Sequence, residues 1–473
     1  MRRPLLLAVA AALLATPTVL AFFHGGYDNQ PRLIAGIVVW VMAAIAAVAA
    51  PAPLPRTRAA RLALGGLAGL FALALASQAW APLHAPAYAD AQRVALYLGA
   101  FVAGLAVLSA IPRAVVPALA AGTVVIVGDG LSERLVPWLV TLERSAAAGG
   151  RLAAPLGYWN AMGAVAAIGL VLSAGLAGDP GRAPRTRALA AAATPLLGGG
   201  LILSFSRGGI LAAVVGLAVT LLARPTATQA RAAAVAVAAA ALTGIVASQL
   251  RAVTDLRGAR DAQGAVLAAV IVIASVGAAL AQRAFIAREA DGRLSTRTVA
   301  LPRPRLLAVG AVVTVVALVG VLVAVESGRD EPAFGATAQR LGSVQSNRYA
   351  YWRVAVGEWA DHPLIGDGSS AFAVAWLRER TIPEGARDAH SLPLETAAEL
   401  GLLGLLALGL LVGGVAAGAV ALQRRAPGAG AAAFGGLAAW AVHVSLDWGW
   451  EMPTVSLTAI LLAAVVLDAE EPL

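Results

Sequence analysis

Stretches of about 20 consecutive apolar residues recur from one end of this chain to the other, and each can cross a bilayer as a helix. No other feature of the sequence restricts the fold as strongly. Lipid offers the backbone no hydrogen-bond partners, so only helices and closed barrels span it. Barrel strands alternate apolar and polar residues, whereas the runs here are uninterrupted Ala, Leu, Val and Gly. Of the 473 residues, 59% are hydrophobic and 13% are charged, against about 25% charged in soluble domains. The sequence predicts an all-α, polytopic transmembrane helical bundle.

About 14 spans are expected, near 4–22, 33–50, 62–80, 92–110, 113–128, 160–177, 188–205, 208–223, 232–250, 264–282, 306–325, 398–422, 431–447 and 453–467. The fifth is short and flanked by prolines. The chain then divides into N-terminal transmembrane helices (1–150), core helices (151–325), one large loop domain (326–397) and C-terminal helices (398–473). The pairs Gly65/Gly69, Gly409/Gly413 and Gly414/Gly418 fit close helix packing within the molecule.

Arginine carries the whole positive charge, since the sequence has no lysine, and the formal net charge is +9. A basic balance can mean nucleic-acid binding, but these arginines sit in loops between spans, where charge sets orientation. With the N-terminus cytoplasmic, the short inside loops are basic almost without exception. The 326–397 segment, the 128–159 loop and the turn at Ser206-Arg207-Gly208 then share the outer face. Residues 1–21 also carry signal-peptide marks, with Arg2-Arg3, an apolar core and Val19-Leu20-Ala21. The many spans that follow favour an uncleaved first helix. With no cysteine in the chain, disulfides and thiolate metal sites are excluded.

The polar residues concentrate around the long loop. Arg207 stands on a tight turn between two spans. A snorkelling anchor is one reading; a guanidinium gripping a lipid-linked phosphate is the other, favoured by its position on the outer side. His390 lies where the loop returns to the membrane and can take a proton near neutral pH. Arg348 and Arg353 flank Tyr351 and Trp352. They make either an amphipathic surface helix or a diphosphate-gripping arginine with aromatic faces for sugars. The stretch from Arg151 to Asn160 carries Tyr158 and Trp159, read as an interfacial belt with Asn160 as helix cap, or as cleft lining. Asp447, Trp448, Trp450 and Glu451 form a similar turn. Gly366-Asp367-Gly368 lacks the strand and helix of a nucleotide fingerprint. The sequence shows no His-Glu-x-x-His or paired Asp motif, so no metal or other cofactor is expected.

Three groups of residues, taken in order, resemble the O-antigen ligase and polymerase superfamily of bacterial envelope glycosyltransferases. They are Ser206-Arg207-Gly208, the series Arg348, Trp352, His362-Pro363-Leu364-Ile365-Gly366, Gly368 and Phe372, and His390, Leu394 and Glu399-Leu400-Gly401-Leu402-Leu403-Gly404. Pro155-Leu156-Gly157, Asn160 and Gly163 are similar to that family too. The resemblance implies a GT-C-like, metal-independent, inverting transferase of the bacterial plasma membrane, with its large loop outside the cytoplasm. Its partners would be an undecaprenyl-diphosphate-linked glycan, an acceptor glycan or glycolipid, and membrane lipids. Arg207 and Arg348 would hold the diphosphate, and His390 would be the general base. Arg151, Arg353, Tyr351 and Trp352 complete the expected substrate-binding set. Ser391 and Asp367 depart from the family's usual asparagine and apolar residue. A protein O-glycosylating ligase, a transporter or flippase of lipid-linked sugars, and a non-catalytic scaffold are the competing readings. Transport is disfavoured because no mid-span acid is expected and the candidate residues cluster at the outer face.

Overall fold

The computed structural model describes residues 2–51, 53–143, 145–254, 256, 258–298 and 346–468. The predicted span at 306–325 and the first part of the long loop lie outside the described residues. In chain order the helices are α1 (Arg2–Ala21), α2 (Asn29–Ala49), α3 (Arg58–Ala76), α4 (His84–Val107), α5 (Pro112–Leu135), α6 (Trp159–Ala177), α7 (Pro184–Leu203) and α8 (Arg207–Ala223). They continue as α9 (Ala227–Gln249), α10 (Arg251–Thr254), α11 (Arg260–Ala290), α12 (Arg348–Asp361), α13 (Phe372–Glu379), α14 (Leu392–Arg425), α15 (Ala431–Val444) and α16 (Pro453–Asp468). Among the described residues there is no strand, only an isolated bridge between Thr226 and Thr298.

Ten of these helices are long and apolar enough to cross a membrane, and α8, α15 and α16 are shorter apolar helices. Every expected span except 306–325 therefore coincides with a helix. The fifth, read as short from its prolines, is a 24-residue helix that holds Pro117 inside it. Helix α4 begins at His84, so Asp90 and Arg93 lie inside a candidate span. Glu395 and Glu399 likewise lie in the first turns of α14. These acids stand in the first turns of their helices, not at mid-span, at polar helix ends that hydropathy averaging clips.

The chain divides into two compact units. One comprises Met1–Val115, Ser346–Ala426 and His443–Leu473, and the other Val116–Gln345 and Pro427–Val442. In the first unit α14 packs against α3 and α4 against α2. A Cβ on Gly66 would stand 2.3 Å from the Leu411 backbone, and one on Gly414 would stand 2.6 Å from that of Ala63. Small residues let the α3 and α14 backbones approach this closely. Of the expected pairs, Gly414/Gly418 makes close contacts as expected, whereas Gly65, Gly409 and Gly413 face open space and Gly69 and the unexpected Gly66 make contacts in their place.

Outside the spans, α12, α13 and the first turns of α14 enclose a small core of their own. It consists of Tyr351, Val354, Ala355, Phe372, Ala375, Trp376, Ala389 and Ala398. Trp376 is fully buried and its indole N–H donates to the Glu384 carbonyl at 2.7 Å. Large side chains of this kind stabilise by about 1.5–3 kcal/mol each on burial. That is enough to give the 348–391 segment a fixed shape around His390.

In the second unit, α6 is buried on all sides. A Cβ on Gly163 would meet Ser206 at 2.4 Å, so the start of α6 lies directly on the turn between α7 and α8. That turn is capped locally. Ser206 Oγ accepts from Gly209 N–H at 3.1 Å, satisfying a helix N-terminal donor as N-cap serines do.

Candidate functional site

In the first unit, His390 sits just ahead of α14 in the left-handed region, with φ 54°. A non-glycine residue held there carries strain that the surroundings must hold in place. Two hydrogen bonds fix the turn. Ala389 N–H donates to Glu395 Oε2 at 2.7 Å, and His390 Nδ1 lies 2.9 Å from the Asp388 carbonyl. A carbonyl only accepts, so Nδ1 carries the hydrogen and the neutral ring keeps its lone pair on Nε2. The ring lies against Tyr351 at 5.0 Å between centroids and edge-on to Trp448 at 6.3 Å. Burial pulls the His390 pKa below its ordinary value; Asp447 opposes that shift and Arg348 adds to it.

Arg348 opens α12, and its guanidinium pairs with the fully buried carboxylate of Asp447. Asp447 also accepts from Trp448 N–H at 2.9 Å. A buried carboxylate of this kind orients the arginine and offsets its charge. Tyr351 packs edge-on to Trp376 at 4.7 Å, and its hydroxyl pKa is raised by burial and by Glu384. Trp352 is half-buried against Tyr349, and its indole N–H is buried without a hydrogen-bond partner. Arg353 is exposed. Two residues on from Tyr351 along a helix, its side chain leaves the axis about 200° away. The structure thus brings His390, Arg348, Tyr351 and Trp448 together and leaves Arg353 outside the group.

Behind the turn lies a set of charges that the sequence reading did not single out. Carboxylate oxygens of Asp388, Glu395 and Glu451 lie within 4.8 Å of one another, a spacing able to hold a metal ion. Arg93 donates to Asp90 at 2.6 Å and lies 3.5 Å from Glu451. Its single positive charge offsets part of the cluster. Burial, then the charge of Glu451, hold the Asp388 carboxyl well above the usual carboxylate range. Asp90, Arg93, Ser369, Glu395, Glu399 and Trp450 line a small cavity beside it. The available signal was helical spacing: Glu395 and Glu399, four apart, share a face of α14 with the turn before it.

In the second unit, Arg207 is the first residue of α8. Leu152 N–H donates to the Leu203 carbonyl at 2.8 Å, which holds the Arg151 loop beside the turn that carries Arg207. Arg151 itself is buried. Its Nε donates to the Ala148 carbonyl at 2.5 Å, its Nη2 to that of Ala147 at 2.7 Å, and its guanidinium lies 3.5 Å over the Trp159 ring. Asn160 is not the helix cap. Tyr158 holds that position, and Asn160 Nδ2, inside the first turn, donates to the Tyr158 hydroxyl at 2.6 Å. The aromatic residue and the amide bond one another, which competes with a capping geometry.

Residues 259–409 match the family model described as O-antigen ligase. No curated protein matches the chain. The matched stretch includes Arg348, His390 and the first turns of α14. With the order of motifs read from the sequence, the match makes this third of the chain similar to the O-antigen ligase family.

Proposed function

We propose that the chain is a membrane glycosyltransferase. It moves a glycan from an undecaprenyl diphosphate carrier to an acceptor sugar hydroxyl on the outer side of the plasma membrane. The observation that carries this reading is the His390 turn, with Nδ1 held by the Asp388 carbonyl, Nε2 left as the basic nitrogen, and Arg348 oriented nearby by Asp447.

In this reading Nε2 of His390 takes the proton of the acceptor hydroxyl, and that oxygen attacks the anomeric carbon. The bond from that carbon to the carrier diphosphate breaks on the opposite face, so the configuration inverts. Negative charge builds on the departing diphosphate, and stabilising such charge is the role proposed for Arg348 and, separately, for Arg207. A histidine with a lowered pKa remains neutral, and therefore able to accept a proton, to a lower pH than an ordinary one. No metal enters these steps. Tyr351 and Trp352 offer ring faces to sugar, and Arg151 holds the loop beside Arg207.

A second reading, transport of lipid-linked sugars, draws on the half-buried Asp90 and the buried Arg93, Glu395, Glu399 and Glu451, since ionisable groups in spans mark pathways. One experiment separates the two. His390→Ala, expressed at the normal level in cells, is expected to abolish the surface polymer and to accumulate lipid-linked precursor on the outer leaflet. Arg207→Ala is expected to give the same defect. Full polymer with His390→Ala would sink the transferase reading, and precursor retained on the inner leaflet would favour transport.

A further inference from the structure

Helix α14 is broken. Gly401 has φ 61° and ψ −155°, a backbone conformation essentially confined to glycine. The break leaves carbonyls before it and N–H groups after it without partners within the helix. The Pro363–Gly368 loop supplies them. Asp367 N–H donates to the Ala398 carbonyl at 3.0 Å and Gly368 N–H to that of Glu399 at 2.8 Å. In return Leu402 N–H donates to the Pro363 carbonyl at 2.8 Å and Leu403 N–H to that of Leu364 at 3.2 Å. A Cβ on Gly366 would stand 2.3 Å from Glu399, and one on Gly401 would stand 2.4 Å from Leu364, so no side chain separates the two backbones. The two motifs, His362 to Gly368 and Glu399 to Gly404, are halves of one bridged helix break.

This bridge seats two exposed apolar side chains, Leu364 at 64% and Ile365 at 44%, alongside Leu402, Leu403 and Leu406 of α14, which are exposed as well. Helix α14 is a candidate span, and these leucines lie on its exposed surface. The apolar surface continues from them onto the loop without interruption. Trp359, at the end of α12, donates its indole N–H to the Pro363 carbonyl at 3.3 Å. That is the arrangement of a headgroup-level tryptophan. The paired side chains of His362 and Asp367 bound the loop on both sides.

From this geometry we infer that the Pro363–Ile365 loop is immersed in the bilayer, and that its partner is the acyl-chain layer of the leaflet around α14. Non-helical backbone is tolerated at membrane depth only where protein groups satisfy it. The four bridging hydrogen bonds meet that condition at the loop's junction with α14. Continuity with the lipid face of a span selects lipid over a second protein as the occupant. The inference stands on the fold alone and is independent of the proposed reaction.

The natural chain has no cysteine, so Leu364→Cys, Ile365→Cys, Leu406→Cys and Thr381→Cys each give one labelling site. Each full-length variant is labelled with an environment-sensitive fluorophore and reconstituted in phosphatidylethanolamine–phosphatidylglycerol vesicles. The Leu364 and Ile365 labels are expected to lose most of their emission to acyl-chain-doxyl lipids and little to iodide, as the Leu406 label does. The Thr381 label, on an exposed polar turn, is expected to behave the opposite way. Iodide quenching at position 364 would overturn the inference, because the loop would then face water. Protection from both quenchers would overturn it too, because protein would then cover the loop. An unlabelled Leu364→Ser protein checks the fold by its melting profile, which is expected to match the natural chain.

Discussion

Two arginines proposed for the same task, Arg348 in one unit and Arg151 in the other, are held in different ways. Arg151 is buried, gives its Nε and Nη2 to neutral carbonyls of its own loop, and stacks on Trp159. Arg348 is half-buried and meets a carboxylate, Asp447, that is fully buried. A guanidinium has five donors. Spent on carbonyls and an aromatic face, they fasten a loop. Held by one buried carboxylate, the group is oriented and its charge offset, and an arriving diphosphate can compete for it. On this difference we propose Arg151 for architecture and Arg348 for substrate.

The largest effect that tests this division is on turnover. Arg348→Lys keeps the charge against Asp447 but loses the planar fork. The rate is expected to fall about 10²–10³-fold, the size of losing one preorganised donor to developing charge. Melting behaviour is expected to stay close to that of the natural chain. Transfer of labelled glycan by purified protein measures the first and thermal unfolding the second. A rate within a few-fold of normal would remove Arg348 from the reaction.

Arg151→Met should do the reverse. It removes a desolvated cation–π contact and the side-chain donors to the Ala147 and Ala148 carbonyls, of which Ala148 keeps the backbone N–H of residue 151, a loss of about 2–4 kcal/mol. The folded fraction should drop and the turnover of the remaining folded protein should hold. If the variant melts normally and is inactive, Arg151 is a ligand group and the contrast between the two arginines fails.

Much of this was legible before any coordinates. Apolar runs located the spans, because in lipid hydrophobic length alone selects a helix. Arg207 stood out on a tight turn between two such runs, and His390 where the long loop returns to the membrane. What the sequence hid is partnership. Nothing in the spacing of Arg348 and Asp447, or of Asp90, Arg93 and Glu451, announces that they meet, since pairs distant in sequence are set by packing. Gly66 shows the same limit: the neighbouring Gly65 looks equivalent in sequence, and only the rotation of α3 against α14 decides which one touches. The matched roles of Gly366 and Gly401 were hidden for the same reason.

A smaller effect is expected at Glu395, which acts on the reaction through the Ala389 N–H. Glu395→Gln keeps an acceptor at that position and should retain most activity. Glu395→Ala releases the turn and should cost about tenfold, near the 1–1.5 kcal/mol of one hydrogen bond. The loss is expected in kcat with KM unchanged. A KM effect, or equal losses in both variants, would show that charge rather than position matters, and would weaken the view that the turn itself is the device.

The two units also differ in where pH can act, and the smallest expected effect follows from that. Arg151 gives its Nε and Nη2 to carbonyls and stacks on a ring, groups that do not titrate. The segment that carries Arg348 holds Glu358, buried beside Asp367, whose pKa is pushed up to about 8 by burial and by that neighbour's charge. Between the ordinary carboxylate value and about 8, the folded state binds a proton that the unfolded state has released. Stability therefore falls as pH rises through this window, and the contribution of this protonated group is fully lost above it. Glu358→Gln removes the proton from the account. It should melt like the natural chain near pH 5 and a few degrees higher near pH 9, because burying a neutral amide avoids the cost of burying the charge. Equal melting shifts at both pH values would mean that Glu358 reaches water when ionised. The pH response of this segment would then rest on Asp388 and His390.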